Sequence, residues 1–176
     1  MRHVGLFIAR VVFGTYLAVH GVQKLFGAFG GHGLDATGKV FAGLGLRPAT
    51  PTAALAGLSE FGGGVLTATG IADPLGPLMI AGTMAVASTV HRRQGPLAQN
   101  GGFELPLTNL AMSLALMSSG TGVLRLGPRL SRPLLRVSLL GGVALAAVSI
   151  AQLLRHSART AAAQESGVDA DLDAAT

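Results

Sequence analysis

The stretch Val4-Gly5-Leu6-Phe7-Ile8-Ala9-Arg10-Val11-Val12-Phe13-Gly14-Thr15-Tyr16-Leu17-Ala18-Val19-His20-Gly21-Val22 is apolar apart from a charge near its middle and a histidine near its end. At 1.5 Å per residue a helix of this length spans about 28 Å, close to the roughly 30 Å of bilayer hydrocarbon. A second run, residues 52–71, carries Glu60 in the same way. An ion held in hydrocarbon costs roughly 2.5–3.5 kcal/mol on insertion scales, so such residues turn toward a bundle interior. The two runs therefore predict an all-α, multi-pass membrane bundle built around buried polar groups. The basic start Met1-Arg2-His3 is that of a signal peptide, but Arg10 interrupts the apolar core and no clear small-residue cleavage site follows. The run is read as a retained helix.

Outward from these runs, further apolar stretches fall at 74–90, 105–124 and 137–154, giving four core helices and a fifth. Charged residues are only 12% of the chain, about half the share of a soluble domain, and there is no Trp. The net charge of +5 comes from arginines flanking apolar runs, Arg92 and Arg93 and then Arg125, Arg129, Arg132 and Arg136. That placement points to the lipid bilayer and its anionic headgroups, and away from nucleic acid. The absence of cysteine excludes disulfides, thiol relays and thiolate metal sites, and no metal-binding cluster is read. Any redox role must come from a cofactor or a partner. Three segments follow: a four-helix membrane domain over residues 1–124, a basic linker with the extra apolar helix over 125–154, and a tail over 155–176. The tail is expected to be disordered because it has few large apolar residues and ends in Asp169, Asp171 and Asp173. In the Gly-rich segment between the first two runs, Leu34, Val40, Phe41 and Leu44 recur at helical spacing and predict a short interfacial helix.

Helical spacing puts Arg10, Gly14, Leu17, Gly21 and Lys24 on one stripe, and Ala53, Ala56, Gly57, Gly63, Gly64 and Thr67 on the face of Glu60. Small residues let backbones approach, so these faces are expected to pack on each other. Measured from the run ends, Arg10 lies about 9 Å and Glu60 about 16 Å below the same membrane face. The expectation is an Arg10–Glu60 ion pair, with Tyr16 donating to the carboxylate. Crossing parity collects His20, Lys24, His91 and Glu104 at one rim, and Glu104, Thr108, Ala111, Ala115 and Ser118 form a small, polar stripe on the fourth helix. Tyr16, His20, Lys24, His91 and Glu104 are thus the expected ligand rim, of a kind suited to a lipid headgroup or a quinone. No nucleophile has an obvious base, so no catalytic residue is assigned and catalysis by the chain alone is not expected. A transporter or proton conductor using Glu60 and Arg10, and a lipid-embedded scaffold without ligand, are the competing readings.

Val19-His20-Gly21-Val22-Gln23-Lys24-Leu25-Phe26-Gly27, the segment ending Leu44-Gly45-Leu46-Arg47-Pro48, then Glu60-Phe61-Gly62-Gly63-Gly64 and Gly101-Gly102-Phe103-Glu104 together resemble the DoxX family of small membrane proteins. The resemblance extends over about residues 4 to 124. It implies a four-helix membrane domain with Arg and Glu at the positions of Arg10 and Glu60. It also implies membership of an oxidoreductase assembly, either in thiosulfate-to-quinone electron transfer or in an oxidative-stress complex with a superoxide dismutase and a sulfurtransferase. The abundance of Arg over Lys, with much Ala and Gly, points to a GC-rich bacterial genome and hence to the bacterial plasma membrane.

Overall fold

The computed structural model describes the backbone of residues 2–174 and the side chains of 3–166. Among the described residues six α-helices, α1 (Arg2–Phe26), α2 (Gly33–Gly43), α3 (Ala49–Thr69), α4 (Leu75–His91), α5 (Glu104–Ser119) and α6 (Arg132–Ala174), make up the fold. No strand occurs among the described residues. The short helix expected in the Gly-rich segment is α2.

The core of the bundle is the crossing of α1 on α3, the most extensive packing in the molecule. It is backbone on backbone. A Cβ at Gly14 would meet the Gly64 carbonyl at 2.5 Å and the Ala68 nitrogen at 2.6 Å, and one at Gly21 would press on the Phe61 backbone. Any side chain at these positions would drive the helices apart, which is why the stripe read on α1 and the small face read on α3 are the buried faces. Gly63 and Gly76 bring α3 and α4 together in the same manner. Helix α5 packs on α4, α2 on α3, and α1 makes little backbone contact with α5. Phe13, Leu17, Ile80, Met84 and Leu116 fill the centre.

This bundle keeps its large apolar side chains outside and several polar ones inside. Val4, Ile8, Val12, Leu55, Leu58, Val65, Leu107 and Leu114 are exposed, whereas Arg10, Glu60, Thr67, Asp73, Ser113 and Thr121 are buried. A surface of that kind is matched to lipid. Among the described residues two helical segments, His3–Phe26 and Arg132–Ser166, are long and apolar enough to cross a membrane, while α4 and α5 have 17 and 16 residues.

Three features differ from the sequence expectations. The stripe Glu104, Thr108, Ala111, Ala115 and Ser118 faces outward, and α5 instead buries Pro106, Ser113 and Leu116. Its hydroxyls tolerate this because Thr108 donates to the Glu104 carbonyl at 2.7 Å and Ser118 to the Ala115 carbonyl at 2.9 Å, so neither needs an interior partner. The tail expected to be disordered continues α6, since residues 155–166 contain no Gly or Pro and are rich in helix-forming Ala. The side chains of Asp169, Asp171 and Asp173 lie outside the described residues. Finally, the boundary placed at 124 is crossed by backbone bonds from Leu126 to Thr69, from Ala72 to Pro128 and from Leu130 to Asp73. The linker is thereby laced along the α3–α4 hairpin. Helix α6 packs on α4 and clasps the α2–α3 turn, where Gln152 accepts from the Arg47 N–H at 3.0 Å and donates to its carbonyl at 2.9 Å.

Candidate functional site

The Gly14–Gly64 and Gly21–Gly57 contacts fix the register of the antiparallel α1 and α3. Glu60 is level with His20, and Arg10 is level with Gly70. Ten residues of α1 separate those levels, about 15 Å of rise. The expected Arg10–Glu60 pair is therefore corrected: the two charges lie at opposite ends of the bundle and each has other partners.

At one end, Lys24 Nζ donates to both carboxylate oxygens of Glu60. Glu60 is 1% exposed and the Lys24 side chain 33%, so the carboxylate forms the floor and the ammonium the wall of an opening. This opening is a cleft of about 260 Å³ between α1, α4 and α5. Tyr16, His20, Lys24, Glu60, His91 and Asn109 give it polar groups, and Leu17, Met84, Leu105 and Pro106 are among its apolar lining. Its α1 and α5 walls make little contact with each other. Tyr16, expected on the Glu60 carboxylate, instead lies edge-on to the His20 ring with centroids 4.7 Å apart. His91 Nδ1 is bonded to the Gly101 carbonyl at 2.6 Å. A carbonyl only accepts, so Nδ1 carries the hydrogen and Nε2 is the nitrogen left for a ligand.

Of the five expected rim residues, four line this cleft. Glu104 does not: it begins α5, and its carboxylate accepts the Ala98 N–H at 3.0 Å, closing the loop 92–103 over the cleft. Its charge suits the positive end of the α5 dipole. Asn109 was not among the expected residues, although a lone amide inside the apolar run 105–124 is the signal that marks it.

At the other end, Arg10 is 2% exposed and its guanidinium reaches the α5–α6 linker, donating to the carbonyls of Thr121 at 3.0 Å and Leu124 at 2.7 Å. Its Nε is buried without an acceptor among the described residues, and the Phe7 ring lies 5.8 Å from its Cζ. Gly70 serves this arrangement twice. It ends α3 in a left-handed conformation (φ 72°) that favours glycine, and a Cβ there would sit 2.6 Å from Arg10 Nη1. Asp73, in the α3–α4 turn, is also buried. Burial pushes its carboxyl above the usual carboxylate range, opposed by Arg129, a backbone hydrogen bond from Thr121, Arg10 and Arg125. Its contact with Arg129 Nε is long, 3.8 Å.

Among known proteins, the DoxX family model matches residues 5–92, which is half of the chain. No curated protein and no solved structure matches it.

Proposed function

The chain belongs to the DoxX family, a family of small membrane proteins, and from that premise we propose that it is a multi-pass subunit of an oxidoreductase assembly in the bacterial plasma membrane, binding the headgroup of a quinone in the Glu60 cleft. The observation that carries this reading is the cleft itself, polar donors beside a half-buried ion pair with apolar walls next to them. A volume of about 260 Å³ is at the lower edge of small-ligand pockets and suits a compact ring whose tail leaves between α1 and α5.

The residues present fit such a group. Two of the three Lys24 donors are engaged by Glu60, leaving one N–H, and the Asn109 amide adds donors on the same cleft, while His91 Nε2 is an acceptor for a ring hydroxyl of the reduced form. Donors placed around a ring oxygen favour the reduced, more electron-rich form over the oxidised one. A bound quinone supplies two-electron, two-proton chemistry, which the side chains of a cysteine-free chain do not offer. Glu60 holds Lys24 in place, the His20 and His91 rings hold or release protons at the headgroup, and Leu17, Met84 and Pro106 keep water from the tail. The sulfur or oxidative-stress role, with a superoxide dismutase and a sulfurtransferase as partners, rests on the family resemblance.

The proton-conducting alternative is less well supported. Between the levels of Glu60 and Arg10 the interior is filled by Phe13, Leu17, Ile80, Met84 and Leu116. The buried hydroxyls of Thr67 and Ser113 are bonded to the Gly63 and Asn109 carbonyls of their own helices, so they do not bridge that interval.

Two measurements test the proposal. Thermal-shift titration with soluble quinone analogues should stabilise the wild type in proportion to ligand, with the gain lost in His20→Ala and Asn109→Leu. Mass spectrometry of the protein purified from native membranes should find a stoichiometric redox partner. No shift with any quinone, or an equal shift in both variants, refutes the cleft as a quinone site.

A further inference from the structure

The end of the bundle opposite the cleft carries the segment Val123-Leu124-Arg125-Leu126-Gly127-Pro128-Arg129-Leu130-Ser131-Arg132-Pro133-Leu134-Leu135-Arg136-Val137, in which every charge is positive. Arg125, Arg129, Arg132 and Arg136 are all exposed. Among the described residues their guanidiniums meet one carboxylate, the buried Asp73, at 3.8 Å from Arg129. Interleaved with them are apolar side chains equally open, Leu126 at 80% and Val123 at 71%.

Neither water nor hydrocarbon suits such a surface. Water leaves the leucines and valines solvated, and hydrocarbon leaves four cations unpaired. The layer that suits both is the bilayer interface, where phosphates meet guanidiniums bidentately while apolar neighbours reach the acyl chains. We infer that this segment is a collar binding the phosphodiester headgroups of anionic phospholipids.

The collar is held in place from within. Arg10 fixes the carbonyls of Thr121 and Leu124, and Leu126, Pro128 and Leu130 are bonded to the α3–α4 hairpin, so Arg125 and Arg129 project from an anchored backbone. Arg132 and Arg136 stand on the first turns of α6, whose positive dipole end adds to their field. Exposed apolar residues of α6, Leu134, Val137 and Leu140, carry the surface on toward the acyl region.

The test is a thermal-shift titration of the full chain in neutral detergent with phosphatidylglycerol, phosphatidylcholine and inorganic phosphate. Phosphatidylglycerol should stabilise the wild type well beyond phosphatidylcholine, with the difference shrinking as salt is raised, and inorganic phosphate should do nothing. The variant R125Q/R129Q/R132Q/R136Q should need roughly tenfold more phosphatidylglycerol or more for the same shift. R92Q/R93Q, which removes two exposed arginines at the other end, should lose clearly less of the phosphatidylglycerol response than the collar variants. If the fourfold variant does not fold, R132Q/R136Q, which leaves the Asp73 contact untouched, should show a partial loss. Equal responses to the two lipids, a wild-type response in the collar variants, or an equal loss in R92Q/R93Q overturns the inference. Stabilisation by inorganic phosphate equal to that by phosphatidylglycerol overturns it in favour of a free-anion site.

Discussion

Removing Lys24 should harm the protein more than removing Glu60, although the two form one ion pair. Lys24→Gln strands a carboxylate that is 1% exposed, and an uncompensated buried charge costs about 3–5 kcal/mol. Glu60→Gln strands an ammonium that is 33% exposed and reaches water through the cleft, so a loss of about 1–2 kcal/mol is expected. The double variant replaces two charges with two amides and should recover about 2 kcal/mol of the summed losses. A parallel cycle between Arg10 and Glu60, about 15 Å apart along the bundle, should be additive within about 0.5 kcal/mol. The chain has no Trp and one Tyr, so unfolding is best followed by far-ultraviolet circular dichroism during titration of the detergent-solubilised protein with a denaturing detergent. A coupling between Arg10 and Glu60 as large as that between Lys24 and Glu60 would refute the register derived from the glycine contacts. A milder effect of Lys24→Gln than of Glu60→Gln would refute the burial argument.

Gly64→Ala sets a Cβ 2.5 Å from the Ala18 backbone nitrogen and should lose about 2–3 kcal/mol, whereas Gly62→Ala, whose Cβ meets only Met79 Cε at 3.6 Å, should lose nothing in the same titration. With its folded-state carboxyl raised by burial, Asp73 takes up a proton at a higher pH when folded than when unfolded, so stability should fall as pH rises from about 4 through the raised value. Asp73→Asn should flatten that part of the stability–pH profile, and an unchanged slope would reject the assignment. Truncation after Ser131 removes α6 but keeps every linker bond to the hairpin, so size-exclusion chromatography should still show a monodisperse bundle. Truncation after Gly122 removes the Leu124 carbonyl from Arg10 and the Pro128 carbonyl from Ala72, and should aggregate.

What the sequence disclosed followed from how strongly each helix marks its faces. On α1 and α3, glycines at helical spacing leave one face that can be approached, and Arg10, Leu17, Gly21 and Glu60 are all on it. On α5, apolar residues occur all round, so the small, polar stripe from Glu104 to Ser118 was a face without being the inner one. The pairing of Arg10 with Glu60 failed on register. Taking the run ends 4 and 71 as level sets Glu60 opposite residue 15, whereas the glycine contacts set Gly70 level with Arg10, a stagger of about five residues that carries Glu60 away from Arg10 to His20 and Lys24. Asp73 stands in a short turn before a proline, where carboxylates are ordinarily solvated. Its burial depends on the linker folding back over the hairpin, a long-range event that no local pattern records. The proposed ligand is the least legible element, since an imidazole nitrogen and an amide such as those of His91 and Asn109 suit many polar groups, and only the shape of the cleft narrows the choice.

The two buried charges that looked like partners are instead each used to hold a different closing segment. Glu60 fixes Lys24 and with it the last turns of α1, against which α2 and the cleft wall are built. Among the described residues Arg10 has no carboxylate within bonding distance, and it gives two of its donors to carbonyls of the linker, a segment beyond the family match at residues 5–92. In this chain the matched region is therefore not self-sufficient: without Thr121 and Leu124 it would bury a guanidinium with no acceptor, which hydrocarbon does not tolerate. Helix α5 must be present to return the chain to that face, and α5 also supplies Leu105, Pro106 and Asn109 to the cleft at the opposite end. Anchoring Arg10 and completing the cleft are consequently one requirement on the same helix, so a lesion in the linker should be felt at the cleft even though about 15 Å of dry core separates them.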